Sequence, residues 1–72
     1  MAKNNFDKAK FVREFEFMKD FEEWAGDFYR QTAANPQIKN GDVRQTFLKI
    51  AGDEDRHAEI VQRIINLINN NL

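Results

Sequence analysis

The chain has 72 residues, with 11 basic and 12 acidic side chains, a net charge of −1 and no cysteine. This length predicts one small domain near the lower limit for a self-sufficient core, which usually needs a disulfide, a metal or a partner subunit. The lack of cysteine excludes disulfides, thiolate metal sites and thiol catalysis. Because acids and bases are interspersed, no basic face predicts nucleic-acid binding. No apolar run approaches the ~20 residues of a membrane span, and the polar start is not that of a signal peptide, so we expect a cytoplasmic protein.

Strong turn signals occur at one place in the chain, between two long helical patterns. Proline disfavours helical geometry in the residue before it, so Asn35-Pro36 predicts the end of the first helix. Asn40-Gly41 suits a turn that needs positive φ, and Asp42 is predicted to cap the second helix. The pattern therefore predicts two helices and one turn.

We predict helices over about residues 6–34 and 43–69, within a single domain 1–72. The fold class is all-α: a two-helix antiparallel hairpin. Two helices cannot enclose a core by themselves, so this hairpin is expected to dimerise into a four-helix bundle.

The first helix carries two apolar stripes. One is a seam with alternating steps of four and three residues: Phe11, Phe15, Met18, Glu22, Ala25, Tyr29 and Thr32. The other is aromatic and displaced around the helix: Phe17, Phe21, Trp24 and Phe28. A monomeric hairpin covers one stripe, not both, and an exposed patch of four large aromatics is typical of an association site. The sequence therefore predicts self-assembly.

The second helix carries one seam with the same steps: Val43, Phe47, Ile50, Glu54, His57, Val61, Ile64 and Ile68. Three further residues widen this seam on one side: Ala51, Ala58 and Ile65. Glu54 and His57 occupy two consecutive seam positions, where hydrophobic residues are expected.

Three polar residues thus interrupt the seams at the same distance from the turn. In a hairpin that turns near residue 38, Glu22 and Glu54 each lie about 16 residues from the turn and so at the same height. Taken singly, each has an ordinary interpretation: a surface glutamate, or a hydrogen-bonded core histidine. Buried unpaired carboxylates cost several kcal/mol, and neither seam contains Lys or Arg to neutralise them. A divalent metal is the simplest remaining countercharge.

A second copy would complete such a site. Two hairpins around a twofold axis bring together four carboxylates and two imidazoles, from Glu22, Glu54 and His57 of each chain. Four negative charges balance two divalent cations. Carboxylate and imidazole ligands with open positions suit iron or manganese.

These residues resemble those of the ferritin-like superfamily, in particular its rubrerythrin-type branch. The similarity lies in EEWAGDFY and FLKIAGDEDRH, covers roughly residues 18–62, and rests on Glu22, Ala25, Phe28, Tyr29, Phe47, Ile50, Ala51, Glu54 and His57. Ordinary members carry two helix pairs per chain, whereas this chain has one, so it is similar to a half-ferritin of the encapsulated-ferritin kind. The resemblance implies Glu22, Glu54 and His57 as iron ligands, with Glu54 bridging two ions per dimer, and manganese as an alternative metal. It also implies a homodimer or higher homo-oligomer and an encapsulin shell as a possible compartment.

The resemblance implies a di-iron ferroxidase in which Glu22, Glu54 and His57 are the catalytic metal ligands. Asp53 and Asp27 are candidates to orient the imidazole or to bind entering iron, and plain solvated charge is their alternative interpretation. Tyr29 is a candidate hydrogen-bond donor to a ligand carboxylate, or a packing residue.

Three alternatives stay open. One is a peroxide-handling di-iron or di-manganese protein, which needs an outside electron donor because a chain without cysteine has no rubredoxin-type centre. Another is a non-catalytic dimerisation module with hydrogen-bonded Glu and His. The third is a protein that binds iron without cycling its oxidation state.

Overall fold

The computed structural model describes residues 7–72, which form two antiparallel helices joined by a short connection. Helix α1 spans Lys8–Ala34, and helix α2 spans Gly41–Asn71. The predicted all-α hairpin is therefore confirmed. The predicted start of the first helix, residue 6, lies outside the described residues. Neither helix is apolar enough over a sufficient length to cross a membrane within residues 7–72.

Helix α1 has a capped start and a proline-determined end. The side chain of Asp7 accepts a hydrogen bond from the backbone N–H of Lys10 at 3.1 Å, which satisfies one of the free donors of the first turn. The helix stops at Ala34 because Asn35 is extended, with ψ at 123°, as expected for the residue before Pro36.

Helix α2 begins two residues before its predicted start. Asn40 is the N-cap, and its side-chain oxygen accepts hydrogen bonds from the backbone N–H groups of Asp42 at 2.9 Å and Val43 at 3.1 Å. The prediction that Asp42 caps this helix was therefore wrong: the carboxylate lies in the first turn, where it interacts favourably with the helix dipole. The positive φ expected for Asn-Gly was also wrong, since Gly41 is the first helical residue and no residue in 7–72 has a positive φ.

Small residues form the contact between the two helices. The buried hydrophobic residues among those described are four alanines and three larger aliphatics: Ala25, Ala33, Ala51, Ala58, Val61, Ile65 and Ile68. Gly26 is buried with them. The stripe that was expected only to widen the seam of α2 therefore lies at the centre of the contact, because small side chains let two isolated helices approach closely.

The predicted seams are buried only in part: Ala25, Val61 and Ile68 lie in this contact, and other seam residues lie at its edge. Phe11, Met18 and Val43 keep 41%, 46% and 41% of their surface exposed, and His57 is exposed as well. A two-helix hairpin has a single internal face, so a seam displaced from that face remains open on one side. The three polar seam residues lie along this open side.

Candidate metal centre

Three potential metal ligands converge midway along the hairpin. Glu22 comes from α1, and Glu54 and His57 come from consecutive turns of α2, where the i, i+3 spacing places both side chains on one face. One ligand atom from each residue lies within 4.8 Å of the other two. The carboxylate side chains are 20% and 21% exposed, and the imidazole is 55% exposed. The structure thus brings together the three residues that the sequence placed at one height.

The imidazole lies between the two carboxylates. His57 Nδ1 is 3.2 Å from Glu22 Oε2 and 3.5 Å from Glu54 Oε1. Although the shorter distance suits a hydrogen bond, the geometry does not, and Glu22 Oε2 is buried without a hydrogen-bond partner. Leaving a buried carboxylate oxygen unpaired is costly, so the site as it stands lacks a positive group.

Basic side chains do not supply that charge. In residues 7–72 every Lys or Arg ion pair goes to another carboxylate, at Asp27, Asp53 or Asp55. A metal cation fits the site, because two carboxylate oxygens and an imidazole nitrogen are the ligand types that iron and manganese accept. Glu22, Glu54 and His57 would hold it.

An apolar cleft opens beside Glu54. It has a volume of about 270 Å³ and is lined by aromatic and aliphatic side chains together with this carboxylate: Phe21, Trp24, Ala25, Phe28, Tyr29, Ile50 and Glu54. The indole of Trp24 stacks on the ring of Phe28 with centroids 5.5 Å apart. This cleft gives the ligands a low-dielectric surround, which strengthens their interaction with a cation.

Tyr29 packs among aromatic rings. Its ring lies edge-on to Phe28 at 5.8 Å and near Phe47 at 5.9 Å. Within residues 7–72 its hydroxyl makes no hydrogen bond to a ligand carboxylate, so the packing interpretation describes the observed contacts.

The two predicted auxiliary aspartates are engaged elsewhere. Asp53 Oδ1 accepts a hydrogen bond from Arg56 at 3.1 Å, and Asp27 Oδ1 accepts one from Arg30 at 2.5 Å. Neither belongs to the group of three ligand atoms. Both pairs are i, i+3 contacts on a helix surface, where a neighbouring arginine competes for the carboxylate.

Sequence reasoning missed a contact on the opposite groove of the hairpin. Arg30 Nη1 donates to Asp55 Oδ2 at 2.6 Å and so joins α1 to α2. The hydrogen bonds that Arg30 donates to the carboxylates of Asp27 and Asp55 raise the pKa of Arg30 above its ordinary value. Asp55 follows Glu54 directly, and a rotation of 100° per residue turns its side chain towards the other groove. This rotation is the feature of the sequence from which the bridge to α1 could have been predicted.

Two facing helices that carry Glu and Glu-x-x-His define the ferritin-like class of carboxylate metal proteins. The Rubrerythrin family model matches residues 16–72 of the chain. The chain therefore belongs to the rubrerythrin family, whose domains typically bind iron. No curated protein and no solved structure gives a match to this chain.

Proposed function

We propose that two copies of this chain form a site that binds and oxidises Fe(II). The observation that carries this proposal is the convergence of Glu22, Glu54 and His57 around a buried carboxylate oxygen that has no hydrogen-bond partner. A hydrogen-bonded dimerisation module would leave no such oxygen, because the imidazole would donate to it.

Ligand number supports a shared site. One chain offers two carboxylates and one imidazole, fewer donors than an iron ion accepts, and the imidazole is half exposed. A second copy would double this set to four carboxylates and two imidazoles, the ligand set of dinuclear carboxylate bundles. Four carboxylates would balance the charge of two divalent ions, so each chain accounts for one.

Fe(II) is the substrate of the proposed reaction. Each ion gives up one electron, and two ions together reduce O2 to hydrogen peroxide, or hydrogen peroxide to two water molecules, with uptake of two protons. The side chains of Glu22, Glu54 and His57 hold the ions side by side, so that both electrons are delivered at one place. Anionic ligands also favour Fe(III) over Fe(II), because they stabilise the higher charge.

Membership of the rubrerythrin family favours a second candidate, the reduction of hydrogen peroxide at a resident di-iron or di-manganese site. In this reaction hydrogen peroxide would take up two electrons and two protons to give two water molecules, and two electrons from a donor would then restore the reduced state of the site. The electrons would come from an outside donor protein, because the chain has no cysteine for an iron–sulfur or rubredoxin-type centre of its own.

An anaerobic Fe(II) titration followed by oxidant tests these proposals together. Trp24 is the sole tryptophan and lines the cleft beside Glu54, so its fluorescence should report binding, with an end point at one Fe(II) per chain. Ferric absorbance that develops on adding air or peroxide supports Fe(II) oxidation. Catalytic loss of peroxide with a supplied electron donor, without ferric product, supports the second candidate.

Matched variants locate the chemistry. Glu54→Gln removes one ligand charge with little change of shape and should slow oxidation at least about tenfold. Asp53→Asn removes the neighbouring carboxylate, which pairs with Arg56, and should leave the rate unchanged. Equal rates for the two variants would refute the assignment of Glu54.

A further inference from the structure

We propose that Met18 reacts with the hydrogen peroxide formed at Glu22, Glu54 and His57, and that it is converted to methionine sulfoxide. This inference rests on the proposed function, because peroxide is the product when two Fe(II) ions reduce O2. It gives Met18 a protective role, since the thioether consumes an oxidant that would otherwise attack the exposed imidazole of His57.

The chain has few side chains that peroxide oxidises by transfer of an oxygen atom. It has no cysteine and two methionines, Met1 and Met18, and of these Met18 lies within the described residues. Met18 is 46% exposed, so an oxidant can reach it. Oxidation of methionine is reversible, because dedicated reductases convert the sulfoxide back to the thioether.

Met18 lies one helical turn from Glu22 on the same face of α1. The i, i+4 spacing places the Cβ atoms of the two residues about 5–6 Å apart. Because a helical side chain leans towards the N-terminus of its helix, the Glu22 carboxylate is directed over the turn that contains Met18. The imidazole of His57 lies 3.2 Å from this carboxylate. Peroxide formed at these ligands therefore starts about 6 Å along the helix from Met18.

Two clefts adjoin between the ligands and Met18. The cleft beside Glu54 has a volume of about 270 Å³ and is lined in part by Phe21. A second cleft, of about 510 Å³, is lined in part by Phe17, Met18 and Phe21. Because Phe21 lines both, the clefts lie side by side, and a small molecule that leaves the first past Phe21 enters the second beside Met18.

The proposed reaction transfers one oxygen atom. A lone pair of Met18 Sδ attacks one oxygen of hydrogen peroxide, the O–O bond breaks, and the other oxygen leaves as water with both hydrogen atoms. The sulfur loses two electrons and the peroxide gains them. With the two electrons already supplied by two Fe(II) ions, this completes the four-electron reduction of one O2. Each chain consumes one peroxide in this way before its thioether is exhausted.

Leu48→Met supplies a matched reference methionine away from the ligands. Leu48 is 44% exposed, close to the value for Met18, and it lines a cleft on the side of the hairpin where Arg30 lies. Exchange of leucine for methionine conserves volume, so the fold is kept. Treating the metal-free variant with dissolved hydrogen peroxide gives a reference ratio of oxidation at the two methionines, measured by mass spectrometry as a gain of about 16 Da in each peptide.

The same variant is then loaded anaerobically with one Fe(II) per chain and exposed to air, with catalase present to destroy peroxide that escapes. Oxidation at Met18 relative to the introduced methionine should exceed the reference ratio at least about tenfold, because peroxide formed beside Met18 reacts before it diffuses away. Glu54→Gln should lose this preference together with Fe(II) oxidation. Met18→Leu should oxidise Fe(II) at an unchanged rate and, without catalase, should release about one more peroxide per chain.

The outcomes separate this inference from the proposed function. Preferential sulfoxide formation at Met18 in the presence of catalase supports the inference. Ferric absorbance that develops while Met18 stays unmodified, or while both methionines are oxidised in the reference ratio, overturns the role of Met18 and leaves Fe(II) oxidation standing. Absence of ferric absorbance in air overturns the oxidation of Fe(II) by O2 and this inference with it.

Discussion

Gly26 offers the sharpest test of how the two helices are held together. A Cβ at this position would lie 2.8 Å from Asp55 Oδ1, too close for an unmoved contact. The next nearest atoms, at Ala51 and Arg30, are both 3.5 Å away and would be in ordinary contact. Asp55 Oδ1 is the end of a flexible side chain and can move, but its movement would disturb the hydrogen bond that Arg30 donates to Asp55 Oδ2 at 2.6 Å. Gly26 therefore leaves the space in which the bridge between α1 and α2 forms.

Gly52 is the matched control, since it also lies within a helix but a Cβ placed there would meet no atom within 4 Å. Replacing glycine by alanine in a helix interior contributes about 0.8–1 kcal/mol to stability through backbone entropy. Gly52→Ala should show this whole gain, which corresponds to a rise in melting temperature of about 4–8 °C for a domain of this size. Gly26→Ala should show a smaller gain, because Asp55 must shift and weaken an exposed ion pair with Arg30 that contributes about 0.2–1 kcal/mol.

The assay is thermal and urea unfolding followed by helical circular dichroism, at one fixed protein concentration because self-association shifts apparent stability. Repeating Gly26→Ala in an Asp55→Ala background removes the obstacle and should restore the full gain. Equal stabilisation by Gly26→Ala and Gly52→Ala would refute the argument. So would a Gly26→Ala penalty that persists after Asp55 is removed, since the collision would then lie elsewhere.

Two further predictions concern the cap of α2 and the link between metal and assembly. Asn40→Ala should lower the free energy of unfolding in urea by about 1 kcal/mol, because two backbone N–H groups lose their acceptor. Asp42→Ala should lower it by only about 0.3 kcal/mol, because this carboxylate interacts with the helix dipole alone. A larger loss for Asp42→Ala than for Asn40→Ala would identify Asp42 as the cap. Chelation of bound metal should lower the mass measured by sedimentation towards that of a single chain, and anaerobic Fe(II) should restore it, because in the proposed function ligands from two copies would bind the same ions. A mass equal to that of a single chain in protein that binds Fe(II) would place the whole site within one chain.

The sequence predicted the helices and the height of the site for simple physical reasons. Pro36 and the asparagines around it interrupt the helical pattern, and a constant rise per residue converts distance from the turn into height. That is why Glu22 could be matched to Glu54 without coordinates. The start of α2 was misplaced by two residues because Asn40 and Asp42 are both good caps, and only the backbone shows which of them reaches free N–H groups.

The packing of the helices was less predictable. A four-three spacing identifies apolar stripes but does not say which stripe meets the other helix of the same chain. Close approach placed the alanine-rich stripe around Ala51 and Ala58 at the centre of the contact, whereas the seams are buried only in part, at Ala25, Val61 and Ile68. The partners of Asp27 and Asp53 were likewise decided by arginines three residues away, a local competition that seam spacing does not describe.

The same packing explains why the open face and the metal ligands belong together. The hairpin buries few large hydrophobic residues among those described, and four of its seven core residues are alanines, each of which contributes little apolar area. A chain of this length that buries so little apolar area between its helices needs further stabilisation from a partner or a metal. Large side chains that would provide it lie outside the contact between α1 and α2, and one of them, Phe21, lines the cleft beside Glu54. Association of two copies through this face would bury further apolar area and, in the proposed function, supply the remaining ligands, so that the stability of the protein would depend on the completeness of its metal site.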